Sequence, residues 1–382
     1  MTKKQHLYGL DLVRFGSAFL VLLFHLSTFG SASPSYITTM DERAFGWLGW
    51  VGAGGWVGVE VFFVISGFVI AASAEKATAR DFIVKRGIRV FPALWICSLI
   101  ALSVQLAWGM PLAEGANAFF RSAILSPQGP YIDGVVWTLV LEAVFYVYVA
   151  ALILIGARLG RPLLDAGGLL LGGVSAVFIA GYLIASGMNL PIADTLHRFP
   201  FKVALLWHGV FFALGMLIRK AARTRLSAYE FGAVGLFTLF CLAEITSRAL
   251  KGYEVVGGNL YEVPLALGIW LAAMGVIIAS VFRSEFIARH FGAPWVKKTG
   301  LMTYPLYLNH FAFGMCLTPW LAAYIPYGPL LFVAVVAIVL AAAWAIMSGP
   351  EAWLQTVGRK ALIRRKAQVV RFPEETDLPH AA

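Results

Sequence analysis

The sequence predicts an all-α integral membrane protein, a bundle of about ten transmembrane helices with both termini on the cytoplasmic side. Three observations predict it. The 382 residues are 60% hydrophobic and only 13% charged, with a mean hydropathy of +0.79, and no soluble core buries that much apolar surface. Apolar runs of about twenty residues recur along almost the whole chain, each long enough to cross roughly 30 Å of hydrocarbon as a helix. The Lys and Arg residues fall mostly on alternate connections between those runs.

The spans lie at 8–29, 47–73, 89–110, 134–156, 166–188, 201–218, 229–246, 262–282, 300–322 and 328–348. No linker or charge-rich block separates them, so residues 1–349 read as one membrane domain. Residues 350–382 read as a basic and then polar tail with Pro373 and Pro379, amphipathic or disordered. Twenty-three of the thirty Lys and Arg lie on one set of loops and tails, among them Lys3, Lys4, Arg86, Arg89, Arg223 and Lys366. Six lie on the other set: Arg43, Arg121, Arg198, Lys202, Arg248 and Lys251. This positive-inside bias turns both termini toward the cytoplasm.

Several classes are disfavoured. Cys97, Cys241 and Cys316 all sit in apolar runs and are odd in number, which supports neither a disulfide framework nor a zinc site. The net charge of +10 belongs to short loops rather than to a solvated basic face, so nucleic acid is not an expected partner. The first run carries Asp11, Arg14 and His25 and reads as a working transmembrane helix rather than a cleavable signal. No convincing internal repeat of the transporter kind is visible.

The chemistry-bearing residues follow in chain order. Arg14 and His25 are eleven residues apart, which at about 100° per residue puts them on nearly one helix face, with roughly 16 Å of rise between them. Intramembrane ionisable groups are functional candidates, although Arg14 pairing with Asp11 and a hydrogen-bonded His25 would also fit a structural role. In the second span Glu60 places a carboxylate deep in the membrane, while Ser66 and Gly67 suit a close-packed seam. Arg86 and Arg89, three apart, present two guanidinium forks suited to phosphate oxygens or to plain membrane anchoring. Glu142 in the fourth span needs a partner, and pairing with His25, aligning it as a base, or bonding a neighbouring helix all fit. Tyr307 and His310 share a face of the ninth span. His208 has no motif around it and reads as a structural histidine.

Taken together, these pieces resemble acyltransferase family 3, the multispanning O-acyltransferases of bacterial membranes. The likeness rests on Leu10-Asp11-Leu12-Val13-Arg14 followed by His25, the stretch Gly58-Val59-Glu60 to Ser66-Gly67-Phe68, and Arg86-x-x-Arg89 with Phe91-Pro92. It continues with Trp137-x-Leu139-x-x-Glu142-x-x-Phe145-Tyr146 and Tyr304-x-x-Tyr307-Leu308-x-His310. Residues from about 155 to 290 show only unmarked hydrophobic spans. The acidic-basic-proline run usual after the last helix appears here as Gly349-Pro350-Glu351, and no fused esterase-like domain is expected in the tail.

The resemblance implies transfer of an acyl group, most often acetyl, from cytosolic acyl-CoA to a hydroxyl of a cell-envelope glycan or lipid-linked sugar, in the bacterial inner membrane and with no metal. It marks Arg14, His25, Arg86, Arg89 and Glu142 as functional. The expected mechanism has Arg86 and Arg89 holding the CoA phosphates, Arg14 beside the pantetheine arm, and His25 as base or acyl carrier, with Glu142 and Arg14 as further catalytic groups. Glu60, Ser66, Tyr307 and His310 are expected substrate-side residues. The membrane lipid is the only other partner required, and a homo-oligomer is compatible with the sequence. The rivals are a transporter or flippase of lipid-linked sugars, which would have no reason to cleave a thioester, and a membrane glycosyltransferase, which needs no clamp for CoA.

Overall fold

The computed structural model describes residues 6–27, 45, 48–256 and 261–370. Lys3, Lys4, Arg43, Pro373 and Pro379 lie outside the described residues, within which every regular element is a helix. After α1 (Tyr8–Ser27) come a single turn, α2 (Gly49–Gly52), and a 3₁₀ turn at Gly55–Val57 that runs into α3 (Gly58–Ala74). The next helix, α4 (Ala79–Ala107), starts at Thr78, whose hydroxyl caps it by accepting from the Asp81 amide at 3.2 Å. Short α5 (Leu112–Ala123) precedes the long α6 (Val136–Arg158) and α7 (Leu164–Gly187). Two single turns, α8 (Ile192–Leu196) and α9 (Phe199–Val203), lead to α10 (Gly209–Ala221), α11 (Ala228–Val256), α12 (Glu262–Phe282) and α13 (Ser284–Phe291). The last described elements are α14 (Pro294–Asn309), α15 (Ala312–Ala322), α16 (Gly328–Ser348) and α17 (Pro350–Val370).

Among the described residues eight helical segments are long and apolar enough to cross a membrane. Two of the ten expected spans are built as broken helices instead. The run 201–218 is interrupted at Leu205, whose φ of 61° no right-handed helix continues through. The run 300–322 divides at His310 between α14 and α15, and the Asp133 carboxylate accepts the Ala312 amide at 2.9 Å, satisfying a donor that the break exposes.

Helices α3 and α10 meet backbone to backbone. A Cβ on Gly67 would lie 2.1 Å from the Phe212 carbonyl oxygen, and one on Gly215 would lie 2.0 Å from that of Val64. Only small residues permit such an approach. Gly300 does the same for α1 and α14, since a Cβ there would meet the Asp11 side chain at 2.4 Å. Around this centre α7, α11 and α16 turn Val177, Phe231 and Val333 outward, the large apolar surface that lipid covers.

One end of the bundle is tied by ion pairs. Arg219 donates to both Glu75 oxygens at 2.8 and 3.1 Å, Arg223 adds a contact at 2.9 Å, and Lys220 reaches Asp165 at 2.8 Å and Glu230 at 2.5 Å. Burial alone would push the Glu75 carboxyl up, but the hydrogen bonds and charges of Arg219 and Arg223 outweigh it and hold the group below its usual range. This basic end also carries Arg86 and Arg89.

Candidate functional site

A cavity of about 140 Å³ opens between α1, α3, α4, α6 and α14, lined among others by Arg14, Ser66, Arg86, Arg89, Glu142 and Tyr307. Residues from five separate stretches of sequence thus share one space. Arg14 makes no ion pair or hydrogen bond among the described residues, and Asp11, which could have neutralised it, is instead bonded by His6. Arg86 rests on the rings of Phe82 and Tyr146, 5.6 and 5.8 Å from their centres. Arg89 lies 5.7 Å from the Tyr304 ring and pairs at 3.1 Å with Glu351 of α17, which also accepts from Gln355. With Glu142 as its one lining carboxylate, this cavity is electropositive, and low-dielectric walls strengthen its attraction for an anion.

Glu142 is not paired with His25. It accepts from the Ser66 hydroxyl at 2.8 Å, so of the three partnerships left open by the sequence the bond to a neighbouring helix is the one formed. Gly67 forms the expected seam, while Ser66 faces the cavity.

His25 lies beyond the cavity lining and pairs with His310. The His310 Nδ1 is 2.7 Å from the Tyr307 carbonyl oxygen. A carbonyl only accepts, so this nitrogen carries the proton and Nε2 the lone pair. His25 Nδ1 stands 3.0 Å from that Nε2 and 2.9 Å from the Val21 carbonyl oxygen. Both contacts require a donor, which leaves the lone pair of a neutral His25 on its Nε2. The break between α14 and α15 brings His310 to this position.

Tyr307 connects the two regions. It lines the cavity, its hydroxyl is 3.0 Å from that of Thr138, and its ring is 5.5 Å from Phe62 and 5.6 Å from His310. Thr138 donates to the Val135 carbonyl at 2.9 Å, so Tyr307 is the donor in the bond between them. Nearby, burial pushes the Asp133 carboxyl up to about 6, against the pull of its bonds from the Val135 and Ala312 amides.

Glu60 stands apart from this cavity. It is fully buried and ion-paired to Arg248 of α11. His208 and Glu244 join it, with ligand atoms all within 4.8 Å of one another, a spacing open to a metal ion. One Glu60 oxygen is already taken by Arg248, however, and Lys202 Nζ lies 5.8 Å from the Trp137 ring that Arg248 also faces, so a dication there would meet cations rather than bare anions. Among the described residues, Glu60 Oε2, Glu244 Oε2 and both ring nitrogens of His208 have no hydrogen-bond partner. Lys202, Glu244 and Arg248 lie in the stretch without sequence motifs. The signal that marks Glu244 is an ionisable group inside an apolar run.

Comparison with known proteins places this geometry in a family. The chain matches the family model described as an acyltransferase domain over residues 7–348. It is 29% identical over 157 residues to an O-acetyl transferase of Shigella phage Sf6, covering 36% of this chain and 43% of that protein. It is 28% identical over 215 residues to the exopolysaccharide production protein ExoZ of Rhizobium meliloti, covering 53% and 66% respectively. Nodulation protein 10 of Rhizobium leguminosarum is 28% identical over 156 residues, covering 35% and 41%. The chain thus spans less than two thirds of the length of each of these three curated relatives. No solved structure matches. The family match runs from just before α1 to the last residue of α16 and takes in the cavity, both histidines and the Glu60 cluster, so the chain belongs to the acyltransferase domain family.

Proposed function

We propose that this protein is a membrane O-acyltransferase of the bacterial inner membrane. It takes an acyl group, most often acetyl, from acyl-CoA at its basic, cytoplasmic end and delivers it to a hydroxyl of a cell-envelope glycan or glycolipid at the opposite end. The observation that carries this reading is the electropositive cavity with its three guanidinium groups, separated from a hydrogen-bonded histidine pair by one residue, Tyr307.

In this mechanism Arg86 and Arg89 hold CoA phosphate oxygens by charge-assisted bonds, and Arg14 stands next along the path. His25 Nε2 accepts the proton of the acceptor hydroxyl as its oxygen attacks the thioester carbonyl. The C–S bond breaks, and the departing thiolate takes the proton back from the imidazolium, leaving ester and free CoA. His310 accepts from His25 Nδ1 and so fixes which nitrogen acts. Glu142, bound to Ser66, balances charge beside Arg14 and remains a catalytic-site residue on the donor side. The test is to supply labelled acyl-CoA to membranes containing the protein, then measure thiol release and label in envelope glycans. Both are expected; intact thioester with glycan passing through the membrane would establish the transporter instead.

A further inference from the structure

Among the described residues, the connections assigned to the end of the bundle away from Arg86 and Arg89 carry only Arg121, Arg198, Lys202, Arg248 and Lys251, yet three of them are gathered in one place. The Arg248 guanidinium lies 4.5 Å from the centre of the Trp56 ring and 6.0 Å from that of Trp137. Lys202 Nζ lies 5.8 Å from the same Trp137 ring, and Lys251 Nζ lies 5.0 Å from the Tyr182 ring. His197, 5.9 Å from Tyr182, shows how closely the cations converge: burial, then the charges of Lys202, Lys251 and Arg248, hold it down to about 4.

The cluster is not self-neutralised. Lys202 and Lys251 make no ion pair or hydrogen bond among the described residues. The carboxylates behind them, Glu60 and Glu244, are 0% and 3% exposed, whereas the Arg248 side chain is 33% exposed. A solute therefore meets cations and aromatic faces before it meets the acids. Like charges held together at a low-dielectric site repel, and an anion among them relieves that repulsion. Cations take carboxylate or phosphate oxygens, and indole rings cover the apolar face of a sugar. The turn that carries Trp56 packs on α1, where a Cβ on Gly55 would lie 3.2 Å from the Cβ of Phe24, the neighbour of His25, so the cluster adjoins the helix of the proposed base.

Resting on the acyl-transfer reading, we infer that Lys202, Arg248 and Lys251 form the anion-binding part of the acceptor site, and that the acceptor is an anionic glycan bearing a carboxylate or phosphate. The carboxylate would belong to an acidic sugar, the phosphate to a lipid carrier.

The test uses the purified full chain in nanodiscs without acyl-CoA, with binding read by calorimetry. One arm compares oligogalacturonate with its methyl ester, the other undecaprenyl phosphate with undecaprenol, so that each pair differs in charge. In at least one arm the anionic probe is expected to bind about tenfold or more tightly than its neutral counterpart. That advantage should shrink with salt, vanish in Lys202→Gln/Lys251→Gln, and survive in Lys202→Arg/Lys251→Arg, which also controls for folding. The arm in which it appears identifies the source of the anion. Equal binding within both pairs, or an advantage that persists in the glutamine variant, overturns the inference. Anionic preference in a protein that never cleaves acyl-CoA would instead sink the acyl-transfer reading and leave an anion site.

Discussion

His310 Nε2 stands 3.0 Å from His25 Nδ1, although 285 residues separate them in the chain. The contact exists because α14 ends at Asn309 and α15 restarts at Ala312, leaving His310 at the break and facing α1. Two backbone carbonyls, of Tyr307 and Val21, then set the direction of the hydrogen bonds. If His25 acts as the proposed base, its lone pair is positioned by these bonds without a carboxylate beside it, in contrast to the Glu142 alignment considered from sequence.

His25→Ala is expected to lower kcat by about a hundred- to ten-thousandfold, the usual contribution of a general base. His310→Ala should cost less, roughly ten- to a hundredfold in kcat with KM for acyl-CoA unchanged, because it only orients the base. The double variant should be no worse than His25→Ala alone. Additive losses would mean that the histidines act independently. Incubation with labelled acyl-CoA and no acceptor separates base from carrier: label retained by wild type but lost in His25→Ala would indicate an acyl-imidazole.

At the donor end, Arg86→Ala and Arg89→Ala should each weaken acyl-CoA binding about ten- to a hundredfold, since a charge-assisted bond contributes roughly 1.5–3 kcal/mol. Lys85, exposed at the surface, should tolerate alanine. Arg89→Lys should rescue only partly, because the fork is lost. Glu351→Gln should fall between wild type and Arg89→Ala, since it loosens the guanidinium without removing it. Equal small losses in the three alanine variants would reduce the arginines to membrane anchors.

The α1 pair, Arg86-x-x-Arg89, Glu142 and the segment from Tyr304 to His310 were legible because charge inside an apolar run is rare and stands out. Their partners were not. Hydropathy reports which residues prefer lipid but not which helices become neighbours, so Ser66 as the partner of Glu142 and Arg248 as the partner of Glu60 emerge only from packing. Hydropathy also overran the breaks at Leu205 and His310, where a backbone turn and the Asp133 cap divide continuous apolar runs. Glu351, whose place after the last expected span fits the family pattern only loosely, turns out to be bonded to Arg89 from the first turn of α17.

The seam between α3 and α10 can be tested through stability. Gly215→Ala would place a methyl 2.0 Å from a backbone oxygen that cannot swing away, and overpacking of this kind costs roughly 1–3 kcal/mol. Gly173→Ala on α7 meets nothing within 4 Å and should be neutral or gain up to about 1 kcal/mol from helix propensity. Thermal unfolding in one detergent compares the two. Matching midpoints would show that the helices can part without loss.

Orientation follows from charge bias. Reporters active only outside the cytoplasm should work when fused near Arg121 and Lys251 and stay silent near Arg223 and Lys366. The reverse pattern at two or more sites would invert the bundle, place Arg86 and Arg89 away from cytosolic CoA, and remove the proposed mechanism.

Tyr307 stands between the arginine-lined cavity and the histidine pair, held by its bond to Thr138 and flanked by Phe62. A closed passage keeps water from the thioester until an acceptor arrives, and loosening it should show as wasted acyl-CoA. Tyr307→Phe keeps the ring and removes one neutral hydrogen bond, which contributes about 0.5–1.5 kcal/mol, or about two- to tenfold in an opening equilibrium. Acyl-CoA hydrolysis without acceptor is therefore expected to rise by that factor, while transfer to the acceptor changes less. Thr138→Val, which breaks the same bond from the other side, should give the same rise. Unchanged hydrolysis with a large fall in transfer, confined to Tyr307→Phe, would instead show the phenol acting in the chemistry rather than closing the passage.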